Sequence, residues 1–295
     1  PPRSTLFPYT TLFRSTRKKS ANPRQTPSAL DPAAAAAEAE RELARLVGRF
    51  GGQRILVAGD VILDRYLWGE VDRTSPEAPV PVVRMREQTG NLGGAANVAA
   101  NLVALGARPT LVGVVGRDAA GEEFLGLLKG LGLAATGLVR HASRPTTVKT
   151  RVVSMGQQLL RVDHEDASAL DPATQAALLA HFTRALPRCE LVILSDYDKG
   201  VLRPELCERM IALARQAGKP VVIDPKGVDY RKYHGATVVK PNLKEAQAAC
   251  GVSIDSVETL QAAGEKLRRQ MSAQAVVISR GALGVSIFER QRSEE

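Results

Sequence analysis

Three cysteines in 295 residues, Cys189, Cys207 and Cys250, form neither a CxxC pair nor an even-numbered set. That excludes a disulfide scaffold and a zinc ribbon, and points to a reducing compartment, so a cytoplasmic location is expected. No apolar run approaches the roughly 20 residues that span a bilayer, and no signal peptide opens the chain. Aromatic residues are scarce at 4%, and the core carries no Lys/Arg patch with aromatics interleaved, which argues against nucleic-acid binding. A GxxxxGK[ST] loop is missing, as are a GxGxxG turn after the first strand, an HExxH helix and a Ser-His-Asp arrangement. P-loop, dinucleotide, zincin and serine-hydrolase readings therefore have no support.

What is present is an ordinary globular composition, 44% apolar and 24% charged, with a net charge of +9. Six of those nine charges (Arg3, Arg14, Arg17, Lys18, Lys19, Arg24) lie in the first 30 residues, which contain no acid. The basic character is thus mostly a solvated tail. Residues 1–15, PPRSTLFPYTTLFRS, resemble a translated short-read sequencing adapter and are set apart from the fold, so natural sequence is expected to begin no earlier than Thr16. Residues 16–50 read as a proline-containing flexible linker followed by an Ala/Glu/Arg/Leu-rich helix.

From residue 51 onward, short β-branched runs alternate with helical segments. Strands are expected at 55–58, 110–115, 191–194, 221–223, 237–239 and 275–279. Helices are expected at 94–105, 119–131, 172–186, 204–217, 242–250 and 256–270. This alternation predicts an α/β fold with a mostly parallel sheet flanked by helices on both faces. Residues 66–86 and 144–163 hold strand-like pieces without intervening helices, so a small β-sheet lid is expected there. The run Asp163-His164-Glu165-Asp166 reads as an acidic turn rather than a metal site.

Chemistry concentrates in a few motifs. Gly93-Gly94-Ala95-Ala96-Asn97 leads into a helix, where paired glycines allow a backbone or ligand to come close. Spacing alone weighs that reading evenly against tight helix–sheet packing. Lys149 and Arg151 share one strand face by the period of two. Asp196 and Lys199 follow a buried strand at its C-terminal end, where ligands gather in open α/β sheets. Asn242 and Glu245 fit a helix-capping box, a ligand motif, or both.

The GGAAN segment, with Gly106 and Gly116-Arg117-Asp118 after it, resembles the N-terminal signature of the ribokinase (PfkB) sugar kinases. Seven further motifs are similar to those of the heptose 7-phosphate kinases within that family: GDVILDRY at 59–66, SPEAPVPV at 75–82, TVKTR at 147–151, QQLLRVD at 157–163, SDYDKG at 195–200, DPKG at 224–227 and KPNLKE at 240–245. The resemblance covers about 52–289 and implies a ribokinase-like kinase domain over 51–295. It implies ATP and Mg²⁺ as cofactors, a sugar phosphate as substrate, and a homodimer through the lid, with no nucleic acid or membrane partner. It assigns Asp64, Gly93, Gly94, Asn97, Lys149, Arg151, Arg161, Asp196 and Lys199 to the sugar phosphate. To the nucleotide it assigns Asp224, Lys226, Asn242, Glu245, Ser279, Arg280 and Gly281, with Glu245 acting indirectly on Mg²⁺.

The family's GAGD turn, which supplies an anion hole and a general-base aspartate, does not occur before Glu295. The expectation is a C-terminally truncated fold and a polypeptide that is nearly inactive as it stands. A fructokinase- or ribokinase-like enzyme, or a non-catalytic sugar- or nucleotide-binding protein, are the competing expectations.

Overall fold

The computed structural model describes residues 32–290. The adapter-like segment 1–15 and most of the linker lie outside the described residues. In chain order the elements are α1 (Pro32–Gly48), β1 (Arg54–Gly59), β2 (Val61–Thr74), β3 (Pro81–Gly94), α2 (Ala95–Ala104), β4 (Arg108–Gly116), α3 (Ala119–Gly130) and β5 (Leu138–His141). Then follow β6 (Val148–Ser154), β7 (Gln157–His164), α4 (Pro172–Ala185), β8 (Leu191–Ser195), α5 (Pro204–Gln216) and β9 (Val221–Asp224). The last are β10 (Val238–Val239), α6 (Leu243–Cys250), α7 (Val257–Gln270), β11 (Ala275–Ser279) and β12 (Val285–Glu289).

Eight strands form the main sheet in the order β12-β11-β10-β9-β8-β1-β4-β5, all parallel except β12. The side-chain period of two divides each central strand between two cores. Along β1, Ile55 and Val57 turn to the side where Phe124 and Leu128 of α3 and Ala95 and Ala99 of α2 pack. Leu56 and Ala58 turn to the other, against Phe182 of α4, Met210 of α5 and Leu267 of α7. Both faces of the sheet are therefore covered, which is why its strands read as continuous apolar runs. Cutting Phe124 or Phe182 to alanine would cost about 3–5 kcal/mol at such fully buried positions.

The lid is a second, four-stranded sheet in the order β3-β2-β6-β7. Its strands run over 61–94, further than the 66–86 expected from sequence, and over 148–164, close to the expected 144–163. Strands β2 and β3 pair antiparallel all the way from Val61↔Gly94 to Thr74↔Pro81, so both glycines of the GGAAN motif end a strand. In β7 every residue is exposed, and its pattern carried no inward-facing stripe by which to place its ends.

The chain leaves β1 with β4 on one side and β8 on the other. This is the point where strand order reverses, and the crevice beyond the C-terminal ends of the strands opens there.

Candidate active site

Two polar regions face the C-terminal edge of the main sheet. One lies on the lid. Asp64 in β2 is level with Lys149 in β6, and Tyr66 is level with Arg151. Arg151 Nη1 donates to Asp64 Oδ1 at 2.6 Å, and the guanidinium lies 5.3 Å from the centre of the Tyr66 ring. Hydrogen bonding to Asp64 raises the Arg151 pKa. Lys149 lies 3.2 Å from Asp163 and 3.7 Å from Glu165, and Lys199 reaches Glu165 at 2.6 Å. Arg161, directly opposite Arg151 in the β6–β7 ladder, is turned to Asp163 at 2.8 Å and is exposed. The acidic turn after β7 is thus a set of ion-pair partners. Among the described residues no group of three or more His, Cys, Asp or Glu is placed to hold a metal.

The glycines act by having no side chain. A Cβ on Gly93 would meet Asp64 Oδ2 at 2.2 Å, so the backbone of Gly93 lies directly against the Asp64 carboxylate. Gly94 has φ of +59°, and a Cβ there would lie 2.2 Å from the Asp60 carbonyl oxygen. That carbonyl accepts from Ala95 N at 2.8 Å and so opens α2. Asn97, one turn in, is exposed on the same helix start.

The second region is a cavity of about 330 Å³ at the ends of β8, β9, β10 and β11. Asp196, Tyr197, Asp224, Lys226, Lys240, Asn242, Glu245 and Ser279 are on its wall. Lys226 pairs with Glu245 at 3.0 Å and Lys240 with Asp224 at 2.9 Å. Asn242 and Glu245 form the full capping box: Asn242 Oδ1 accepts from Glu245 N, and Glu245 Oε2 accepts from Asn242 N, both at 2.9 Å. The second carboxylate oxygen of Glu245 remains on Lys226 in the cavity, so capping and a charged wall coexist in one residue. Ser279 is held beside Asn242 by a parallel bridge. Arg280 instead donates to the Leu283 carbonyl at 3.0 Å, and Gly281 opens the short turn that follows. Neither contributes to the cavity wall.

Asp196 is on the cavity wall, with both carboxylate oxygens held by protein partners. It is 3% exposed, its Oδ1 accepts from Asp198 N, and its Oδ2 accepts from Lys232 Nζ at 2.6 Å and Tyr233 OH at 2.7 Å. It organises the turn 196–201 that carries Tyr197 and Lys199.

Several residues here had no role in the sequence reading. Asp60, just past β1, is 1% exposed and gathers three backbone amides: Tyr197 at 2.8 Å, Lys199 at 3.1 Å and Val201 at 3.1 Å. Burial, and then the charge of Asp196, push its pKa up to about 6. Tyr197 is half-buried, and its phenol is pushed above the ordinary value by burial first, then by Asp224, Asp64 and Glu245. It is on the cavity wall. Buried Arg144 donates to the Ser168 and Lys199 carbonyls, fixing the far side of the turn. Asp60 and Tyr197 stood inside quoted motifs; an acid directly after a buried strand was the signal that could have marked Asp60.

A mostly parallel, doubly covered sheet with a second small sheet defines a ribokinase-like fold. Arabidopsis thaliana ribokinase complexed with ribose and ATP aligns with a TM-score of 0.64 at 18% identity, covering 82% of this chain and 76% of that one. Escherichia coli phosphofructokinase-2 in complex with fructose-6-phosphate gives 0.65 at 20%, covering 82% and 78%. The family model described as "pfkB family carbohydrate kinase" matches residues 53–295, and the chain belongs to that family of sugar phosphotransferases. Among curated relatives, "Bifunctional protein HldE" of Methylobacillus flagellatus is 48% identical over 240 residues, covering 81% of this chain and 49% of the relative. The protein of the same description from Wolinella succinogenes is 44% identical over 236 residues, covering 80% and 50%. The chain therefore spans about half the length of the curated relatives it matches.

Proposed function

We propose that this chain is the kinase portion of a heptose kinase: it binds ATP and D-glycero-β-D-manno-heptose 7-phosphate and directs the γ-phosphoryl group to the anomeric hydroxyl. The product is the 1,7-bisphosphate, a precursor of activated heptose for lipopolysaccharide. The observation that carries this reading is the lid cluster, where Lys149 and Arg151 stand beside Asp64, with Lys199 joined to Lys149 through Glu165. A free sugar has no use for three cations; a sugar phosphate needs them for its remote phosphate, with Asp64 and Asn97 for its hydroxyls.

On the nucleotide side, Lys226 and Lys240 orient phosphates, and Asn242 with Ser279 lines the approach. The oxygen-rich wall of Asp224, Asn242 and Glu245 suits Mg²⁺, which prefers phosphate and water oxygens with one or two carboxylates. When bound, Mg²⁺ neutralises charge on the phosphates. Positioning is the larger part of phosphoryl transfer, and these residues supply it. A cytoplasmic setting and a dimer through the lid fit this reading.

No Gly-Ala-Gly-Asp run occurs among the 295 residues, so no aspartate of that motif takes the hydroxyl's proton in this polypeptide. We expect it to bind both ligands and to be nearly inactive, slower by at least roughly 10²–10⁴-fold for the general base and by a further factor of similar order for the anion hole. Phosphorus NMR of heptose 7-phosphate with ATP and Mg²⁺ tests this. Bisphosphate formation at a rate ordinary for kinases would overturn the assignment of the missing base.

A further inference from the structure

We propose that the buried hydroxyl of Tyr233 is a positioning group that couples the substrate-side turn 196–201 to the nucleotide-side loop 225–227. Tyr233 is fully buried, and its hydroxyl stands at the junction of both segments. It donates to Asp196 Oδ2 at 2.7 Å and accepts from Lys226 N at 2.9 Å. The Lys226 carbonyl lies 3.1 Å away, and the single hydroxyl hydrogen goes to the nearer, charged acceptor. Burial, then the Asp196 charge, raises the phenol's pKa far above ordinary, so it stays a donor at any working pH.

Each end of this bond reaches a ligand region by one further step. Asp196 Oδ1 holds Asp198 N, inside the turn whose other amides sit on Asp60 and whose Lys199 joins the lid cluster through Glu165. Lys226 pairs with Glu245 on the cavity wall. The ring itself is fixed from two sides: Tyr230 packs edge-on at 5.4 Å, and Lys232 Nζ lies 5.1 Å from its centre while also holding Asp196. A displacement of either segment must therefore pull on the same oxygen. This inference rests on the functional reading for which ligand occupies which side, while the coupling itself rests on geometry alone.

Tyr230 provides an internal control, because it is equally buried and its hydroxyl has no hydrogen-bond partner. The test is amide hydrogen exchange, read by NMR, in the 295-residue chain and its Tyr233→Phe and Tyr230→Phe variants, with and without ATP. In Tyr233→Phe, we expect the Lys226 amide to exchange about tenfold faster or more. The coupling predicts that Tyr197, Asp198 and Val201 also exchange faster, although none of these amides touches Tyr233. Tyr230→Phe leaves all four amides unchanged. If only Lys226 responds, or if both variants behave alike, the coupling is refuted.

In the unmodified chain, ATP must slow exchange at 197–201, and in Tyr233→Phe that effect must be lost; ATP protection confined to 224–227 would refute the coupling without any variant. Should the chain bind neither ATP nor heptose 7-phosphate, the functional reading fails. The exchange rates of the unliganded variants still decide the coupling.

Discussion

Asp60 shows how one carboxylate can be structural and still set a pH response. Its three amide partners favour the charged form, yet burial and Asp196 outweigh them, and its pKa rises from 3.8 to about 6. A carboxyl with a higher pKa in the folded chain binds its proton more tightly there than when unfolded. Its contribution to stability is therefore full below pH 4 and is lost as pH rises through about 6. A gap of about two units corresponds to about 3 kcal/mol. Asp60→Asn does not titrate, and every other group is common to both proteins. Urea unfolding across pH 4–7 should show the unmodified chain losing about 3 kcal/mol relative to the variant. A constant difference between the two would contradict the assignment. Asn carries a fixed cost of its own, since its NH₂ cannot accept the Tyr197 or Lys199 amides, but that cost does not vary with pH.

At the scale of elements, α6 shows why a cap and a ligand wall were inseparable in sequence. The spacing Asn-x-x-Glu satisfies both, and the helix start indeed uses both side chains reciprocally, while Glu245 still faces Lys226 across the cavity. Substitution separates the two roles. Glu245→Gln keeps the reciprocal bonds, because glutamine serves equally at that position, and should change stability by no more than about 1 kcal/mol. It removes a carboxylate from the cavity, so metal-free ATP should bind more tightly and the gain in ATP affinity from Mg²⁺ should shrink. Calorimetric titration of ATP with and without Mg²⁺ reads this directly. An unchanged gain would leave Glu245 a cap alone.

Elements buried on two faces were legible because their apolar runs are continuous. The strands β1, β4, β8, β9, β10 and β11 and the helices α2 to α7 fall within a few residues of the expected ends. Strands β2 and β5 were not legible. Residues 65–74 of β2 are at most half-buried and carry Arg65, Glu70, Asp72 and Arg73, and β5 has four residues at the sheet edge. Long-range pairing, not local pattern, defines both. The same limit applies to the site. Asp64, Lys149, Arg151, Asp196, Lys199 and Glu245 could be chosen by motif, whereas Glu165, which holds Lys199, and Lys232 and Tyr233, which hold Asp196, become visible only when segments more than 30 residues apart meet.

At the scale of the whole molecule, the lid cluster and the cavity belong to two different sheets. Asp60 just past β1, the turn after β8 and the loop after β9 tie the two regions together through backbone amides and one phenol. As proposed above, the two joined regions recognise a phosphorylated sugar together with ATP. Calorimetric titration of the 295-residue chain with heptose 7-phosphate, the same heptose without phosphate, and fructose tests it most directly. Saturable binding of the 7-phosphate is expected, weakened about tenfold or more by Arg151→Met and by omission of the phosphate. Equal affinity for the free and phosphorylated heptose would contradict it.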